Sequence, residues 1–152
     1  MLVYPRIDCC SLPVQAVSFQ AQQKNIAVKV TVQENLPLIQ ADAEKTSWVL
    51  INFLTNAIKY SFEASAIEVA AYTKNNRVMI TVKDHGRGID AKYLPRIFDR
   101  YFKVPGTHER SGTGLGLAIS KEFIEAQGGQ IEVSSISGEG SVFGFNFPYT
   151  TS

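Results

Sequence analysis

Cysteine, histidine and net charge are all scarce in this chain, and each shortage closes off a class of function. Two of its 152 residues are cysteines, Cys9 and Cys10. Adjacent cysteines cannot close a loop, so no disulfide framework is expected and a reduced, cytoplasmic setting is. Only His85 and His108 are histidines, and no Cys/His set has the spacing of a metal site. Fifteen Lys and Arg against fourteen Asp and Glu leave a formal charge of +1. That balance provides no long-range field for nucleic acid or an anionic membrane, so any anion must be held locally. No apolar run approaches the roughly 18 residues of a membrane span. Residues 1–6 lack the charged start and apolar core of a signal peptide. What remains is one domain with an ordinary apolar share of 45%, enough for a real core.

Hydrophobic periodicity organises that domain. Residues 3–8 read as extended, and Pro13 suits the first turn of a helix over about 12–24. Alternation over 26–32 predicts a half-buried strand. Asp42 is placed to cap a long helix running to about Tyr60. Strands are predicted at 66–73 and 77–83, joined by Asn75-Asn76, which tolerate the positive φ of a tight hairpin. Residues 90–102 look irregular and 103–111 form a polar loop. A helix over about 114–127 stops at Gly128-Gly129, and 130–135 with 141–147 close the chain as a hairpin. Helices and strands segregate, which predicts an α+β fold, a two-layer sandwich of about five main strands in a mixed sheet, covered on one face by about three helices.

Four polar blocks interrupt this pattern. On the long helix Leu50, Phe53, Leu54, Ala57 and Ile58 form an apolar stripe, while Asn52, Asn56 and Lys59 fall on a second stripe roughly opposite. A solvated helix back is the simple explanation, yet two Asn one turn apart are poor choices for an exposed helix surface. Their amide oxygens suit Mg²⁺, a hard ion that needs few protein ligands because it keeps several waters. Lys59 would add a point charge for a phosphate.

Asp84 ends an apolar strand before Gly86 and Gly88, where a tight turn alone would account for Asp and Gly. The same residues let a flat ligand approach closely, with the carboxylate accepting from an exocyclic amine. Gly112-Thr113-Gly114-Leu115-Gly116-Leu117 leads into a helix. Backbone amides there form an anion site without side-chain charge, although a flexible hinge would also use glycine. Trp48 reads as packing, and neither histidine as a metal ligand or phosphoryl acceptor.

Asn52-Phe53-Leu54-Thr55-Asn56-Ala57-Ile58-Lys59-Tyr60, Asp84-His85-Gly86-Arg87-Gly88, Ile97-Phe98-Asp99-Arg100-Tyr101-Phe102 and the glycine block, in this order, resemble the N, G1, F and G2 boxes of one family. It is the ATP-binding catalytic domain of bacterial sensor histidine kinases, within the superfamily of gyrase, the Hsp90 chaperones and MutL. The resemblance runs from about Asp8 to Phe147. It implies the Bergerat-type ATP-binding fold, with ATP and Mg²⁺ as cofactors. By this resemblance Asn56 is the principal Mg²⁺ ligand, Asn52 lies near the metal and phosphates, Lys59 contacts phosphate, and Tyr60 lies beside the base. Asp84 reads the adenine N6, with Gly86, Gly88 and Ile89 shaping the pocket. Phe98 anchors one end of the ATP lid, and Gly112, Thr113, Gly114, Leu115, Gly116 and Leu117 border the phosphates at the other. Lys103 and Arg110 become lid contacts to the γ-phosphate.

The ATP-hydrolysing branches carry a Glu four residues before the main Asn, where this chain has Asn52, and an amide cannot serve as general base. Phosphoryl transfer to a histidine supplied from elsewhere is therefore expected, with catalysis by positioning and charge neutralisation. The chain has no His-Glu/Asp-x-x-x-Pro motif and no helical hairpin to hold one. Residues 1–152 are expected to form a single catalytic domain, with 1–7 a linker or edge strand from a dimerisation and phosphoacceptor domain not present. The implied partners are that domain and a downstream response regulator, with no nucleic acid, no direct membrane contact and a monomer in isolation. The parent protein is compatible with a membrane anchor. A nucleotide-binding regulatory module without transfer activity is the alternative, followed by an ATP hydrolase or anti-sigma-type serine kinase.

Overall fold

The computed structural model describes residues 3–4, 11–105 and 115–149. Cys9, Cys10, His108, Arg110, Gly112, Thr113 and Gly114 lie outside the described residues. Strand β1 (Val3–Tyr4) pairs antiparallel with β3 (Ile39–Gln40), so the expected extended start is an edge pair. The first helix is broken in two, α1 (Ser11–Ala16) and α2 (Ser18–Gln23). Between them Val17 leaves helical geometry (φ −106, ψ 5) and is 1% exposed in the core. Strand β2 (Ala27–Val32) follows; it is more exposed than the expected half-buried strand because it lies at the sheet edge.

Helix α3 (Ala43–Tyr60) starts at Asp42, whose carboxylate accepts from the Lys45 amide at 3.1 Å. That bond satisfies one of the amides a helix start leaves orphaned. Leu50, Phe53, Leu54, Ala57 and Ile58 are each at most 4% exposed, as the stripe predicts. Strands β4 (Ala66–Lys74) and β5 (Arg77–Lys83) form the expected hairpin, with Asn75 and Asn76 at φ 53 and 61. A short 3-10 helix, Ala91–Arg96, is capped by Asp90. Helix α4 (Gly116–Ala126) ends at Gly128, φ 83, where only glycine is unstrained. Strands β6 (Gln130–Ile136) and β7 (Gly140–Pro148) complete the chain.

The sheet order is β2-β4-β5-β7-β6, with only β2 and β4 parallel. This is the mixed five-stranded sheet that the sequence predicts. Register aligns three apolar rows on one face: Val78, Ile80 and Val82; Phe147, Phe145 and Phe143; Ile131 and Val133. The helices bury that face, and Phe53 of α3 packs on Phe143 and Phe145 with ring centroids 5.5 and 6.2 Å apart. Strand residues alternate between faces with period two. The next inward positions at one end of these rows are therefore Asp84, Ser141 and Ser135. There the apolar core gives way to polar side chains.

Candidate functional site

Asp84 is 6% exposed, and its Oδ1 accepts from the Gly86 amide at 3.0 Å and the Ser141 amide at 3.3 Å. Its own amide donates to the Ser141 carbonyl at 2.9 Å. Burial raises the carboxyl above its ordinary value, while the Gly86 and Ser141 amides and neighbouring His85 pull the other way. Oδ1 is thus saturated by backbone, and Oδ2 takes no hydrogen bond among the described residues. One buried acceptor is held in a fixed direction with its capacity unspent. That is what recognition of an exocyclic amine requires.

Glycine is obligatory around it. A Cβ on Gly86 would stand 2.1 Å from the Tyr60 carbonyl oxygen, and one on Gly88, at φ 70, 2.2 Å from that of Ile136. Ile89 donates its amide to the Ser135 hydroxyl at 2.7 Å, and Ser135 in turn bonds Gly140 O and Ser141 Oγ. The expected pocket residues Asp84, Gly86, Gly88 and Ile89 therefore converge with the β6–β7 hairpin. Ser135 and Ser141 were not singled out from the sequence. The available signal was their parity, because each continues an inward apolar row.

Ser61 forms an isolated antiparallel bridge with Gly86, which joins the end of α3 to the Asp84 turn. The Tyr60 ring has the Arg87 guanidinium 5.4 Å and the Lys59 ammonium 6.0 Å from its centroid. The asparagine stripe is not a solvated back, because α4 packs beside it. Asn52 Nδ2 donates to Ser120 Oγ at 3.2 Å, and Ser120 Oγ donates to the Gly116 carbonyl at 2.8 Å. A Cβ on Gly116 would come within 2.7 Å of Asn52 Oδ1, so a larger residue there would displace the Asn52 side chain. Asn56, one turn on, makes no hydrogen bond among the described residues and is half-buried.

Helix α4 begins at Gly116 rather than 114. Leu115 is its N-cap residue, and its apolar side chain offers no acceptor to the first amides of this 11-residue helix. Leu117 packs against the core. Phe98 is half-buried against Phe143 at 6.4 Å, with the Lys121 ammonium 5.9 Å from its ring centroid. Lys103 is exposed and unpaired among the described residues. Arg110, Gly112, Thr113 and Gly114 fall outside the description.

The histidine kinase-, DNA gyrase B-, and HSP90-like ATPase family profile matches residues 41–151, most of the chain. The chain belongs to this family. Relatives within it include sensor proteins and sensor histidine kinases. It is 41% identical to the sensor protein KdpD of Clostridium acetobutylicum over 82% of this chain and 14% of that protein. It is 41% identical to the sensor histidine kinase ZraS of Salmonella typhimurium over 90% of this chain and 29% of that protein. The chain thus spans less than a third of either relative. The catalytic domain of histidine kinase ThkA superposes with a TM-score of 0.83 at 26% identity, covering 97% of this chain and 95% of that one. Full-length ShkA, solved with AMPPNP, gives 0.85 at 30% identity over all of this chain and 32% of that one. This HATPase domain is of the sensor-histidine-kinase catalytic type.

Proposed function

We propose that the domain binds Mg-ATP and passes the γ-phosphoryl group to a histidine on a separate dimerisation and phosphoacceptor domain of a parent sensor kinase. The observation that carries it is the division of labour across one site. A buried carboxylate, one oxygen of which takes no hydrogen bond among the described residues, stands at the base end. At the other, Asn56, likewise unbonded among the described residues, lies one turn from Asn52, which meets the start of α4. Asp84 Oδ2 would accept from adenine N6, while Tyr60 and Arg87 border the base. The α4 amides and Lys59, with Lys103 and Arg110 from the lid, would meet the phosphates.

Asn56 fits a metal ligand. Its amide makes no hydrogen bond among the described residues, and a hard divalent ion takes neutral oxygens and phosphate oxygens readily. Among the described residues no His, Cys, Asp or Glu cluster competes for the ion. Asn52, tied to Ser120, would hold the α4 start beside Asn56 and stand near the metal. Mg²⁺ there would neutralise charge on the phosphate oxygens. Asn52 cannot act as a base, so the nucleophile must come already nucleophilic, as neutral imidazole is. The partner domain and a response regulator complete this reading, as does a monomeric chain acting in the cytoplasm. No helix among the described residues is long and apolar enough to cross a membrane.

Incubation with γ-labelled ATP, alone and with the phosphoacceptor hairpin of a related sensor kinase such as ZraS, tests this reading. Acid-labile label on the hairpin histidine and none on the chain is expected. Rapid label on His85 or His108 would overturn transfer in trans. Phosphate release by the chain alone, abolished by Asn56→Ala, would favour the hydrolase instead.

A further inference from the structure

Lys24, in the turn between α2 and β2, has no assigned ligand of its own, yet its ammonium is fully committed to the backbone at the end of α3. Nζ donates to the carbonyls of Ile58 at 2.8 Å, Lys59 at 3.1 Å and Ser61 at 2.9 Å. An ammonium has three protons to give, and all three are used. The acceptors lie in and just beyond the last turn of α3, where carbonyls lack intrahelical partners and the helix dipole favours a cation. The backbone is joined there too, since the Ala64 amide donates to the Lys24 carbonyl at 3.0 Å.

From this clamp the contacts run without a gap to the base end of the site. Ser61, held through its carbonyl, bridges Gly86. The position of a Gly86 Cβ lies 2.1 Å from the Tyr60 carbonyl oxygen, so the Gly86 backbone rests directly on this segment. Gly86 then donates its amide to Asp84 Oδ1 at 3.0 Å. Any outward shift of residues 60–61 would move Gly86 and release one of the two amides that aim the carboxylate.

We infer that Lys24 is a positioning residue for base recognition, setting Asp84 through the segment that ends α3. This rests on the nucleotide-binding reading above. An ordinary helix cap would stabilise the fold without favouring one base over another, whereas a positioning residue must affect selectivity.

Calorimetric titration of ADP and of IDP, which lacks the 6-amino group, into wild type and Lys24→Met separates the two. Met keeps the stem and removes the donors. The expected result is about tenfold weaker ADP binding, with IDP changed less than about threefold. The ADP preference then collapses while circular dichroism reports a folded domain. An unchanged ADP-to-IDP ratio, whether both affinities fall together or neither does, overturns the inference. If Lys24→Met does not fold, Lys24→Gln, which keeps two donors, decides by the same ratio. A wild type with no ADP affinity would refute the nucleotide reading itself. A wild-type ADP preference that the variant retains would refute only the role of Lys24.

Discussion

At the base end of the site Asp84, Ser135, Ser141 and Gly86 bond to one another, whereas at the phosphate end Asn56 and Lys103 make no bond among the described residues and the N-cap residue of α4, Leu115, gives no side-chain cap. The base end is also tightly packed, with glycines against backbone carbonyls. A flat, weakly charged group is best recognised by fixed directions in a buried setting. A polyanion with its metal needs donors and oxygens still unspent, because these form the bonds when it arrives. The base end is therefore part of the fold's stability, whereas Asn56 and Lys103 contribute little to it.

Substitutions should separate the two ends by what they damage. Gly86→Ala should have the largest effect, since its Cβ would stand 2.1 Å from the Tyr60 carbonyl oxygen and backbone must move. A loss of about 3 kcal/mol is expected, or roughly 6–12 °C in Tm for a domain of this size, with nucleotide binding lost as well. A thermal melt matching wild type would show that the base end is not packed as described.

Asp84→Asn should have a smaller effect, and it should act in opposite senses on stability and binding. An Asn oxygen can still accept from Gly86 and Ser141, but its amide nitrogen presents a donor where the exocyclic amine needs an acceptor. ADP affinity should fall by about 1–3 kcal/mol, while affinity for inorganic triphosphate changes little. The fold without ligand should be no less stable at neutral pH. The wild-type carboxyl is raised above its ordinary value of 3.8 by burial, so the folded state binds the proton more tightly than the unfolded chain. Asp84 therefore favours folding below that ordinary value, and this contribution is lost as pH rises through the raised pKa. Any stability advantage of the Asn variant at pH 7 should shrink on acidification. Chemical denaturation of both proteins at several pH values measures it, and a constant difference would contradict the buried, raised carboxyl.

Features whose signals are local were legible in the sequence. The Asp42 cap and the Asn75-Asn76 hairpin are each readable within a few residues, as is the placement of Asn52 and Asn56 one turn apart on α3. The β1–β3 pair was not legible, since two-residue strands carry no period. Nor was the break at Val17, a buried residue that no Pro or Gly marks as a helix end. Asn52 was expected near the metal and phosphates, while its contact with Ser120, which spans 68 residues of sequence, was not legible. The Lys24 clamp, 34 to 37 residues from its acceptors, leaves no pattern in the chain. Spacing reveals which residues share a face, whereas the approach of distant backbone segments appears only once the sheet is assembled.

The central claim is that Asn56, which makes no hydrogen bond among the described residues, is there to take a metal-bound polyphosphate. Calorimetric titration of ADP into wild type and Asn56→Ala, with and without Mg²⁺, tests it most directly. Wild type should bind at least about tenfold more tightly with Mg²⁺, and the variant should lose that increment while keeping its metal-free affinity. Equal Mg²⁺ dependence in the two proteins would contradict the assignment of Asn56 and, with it, the proposed division between the ends.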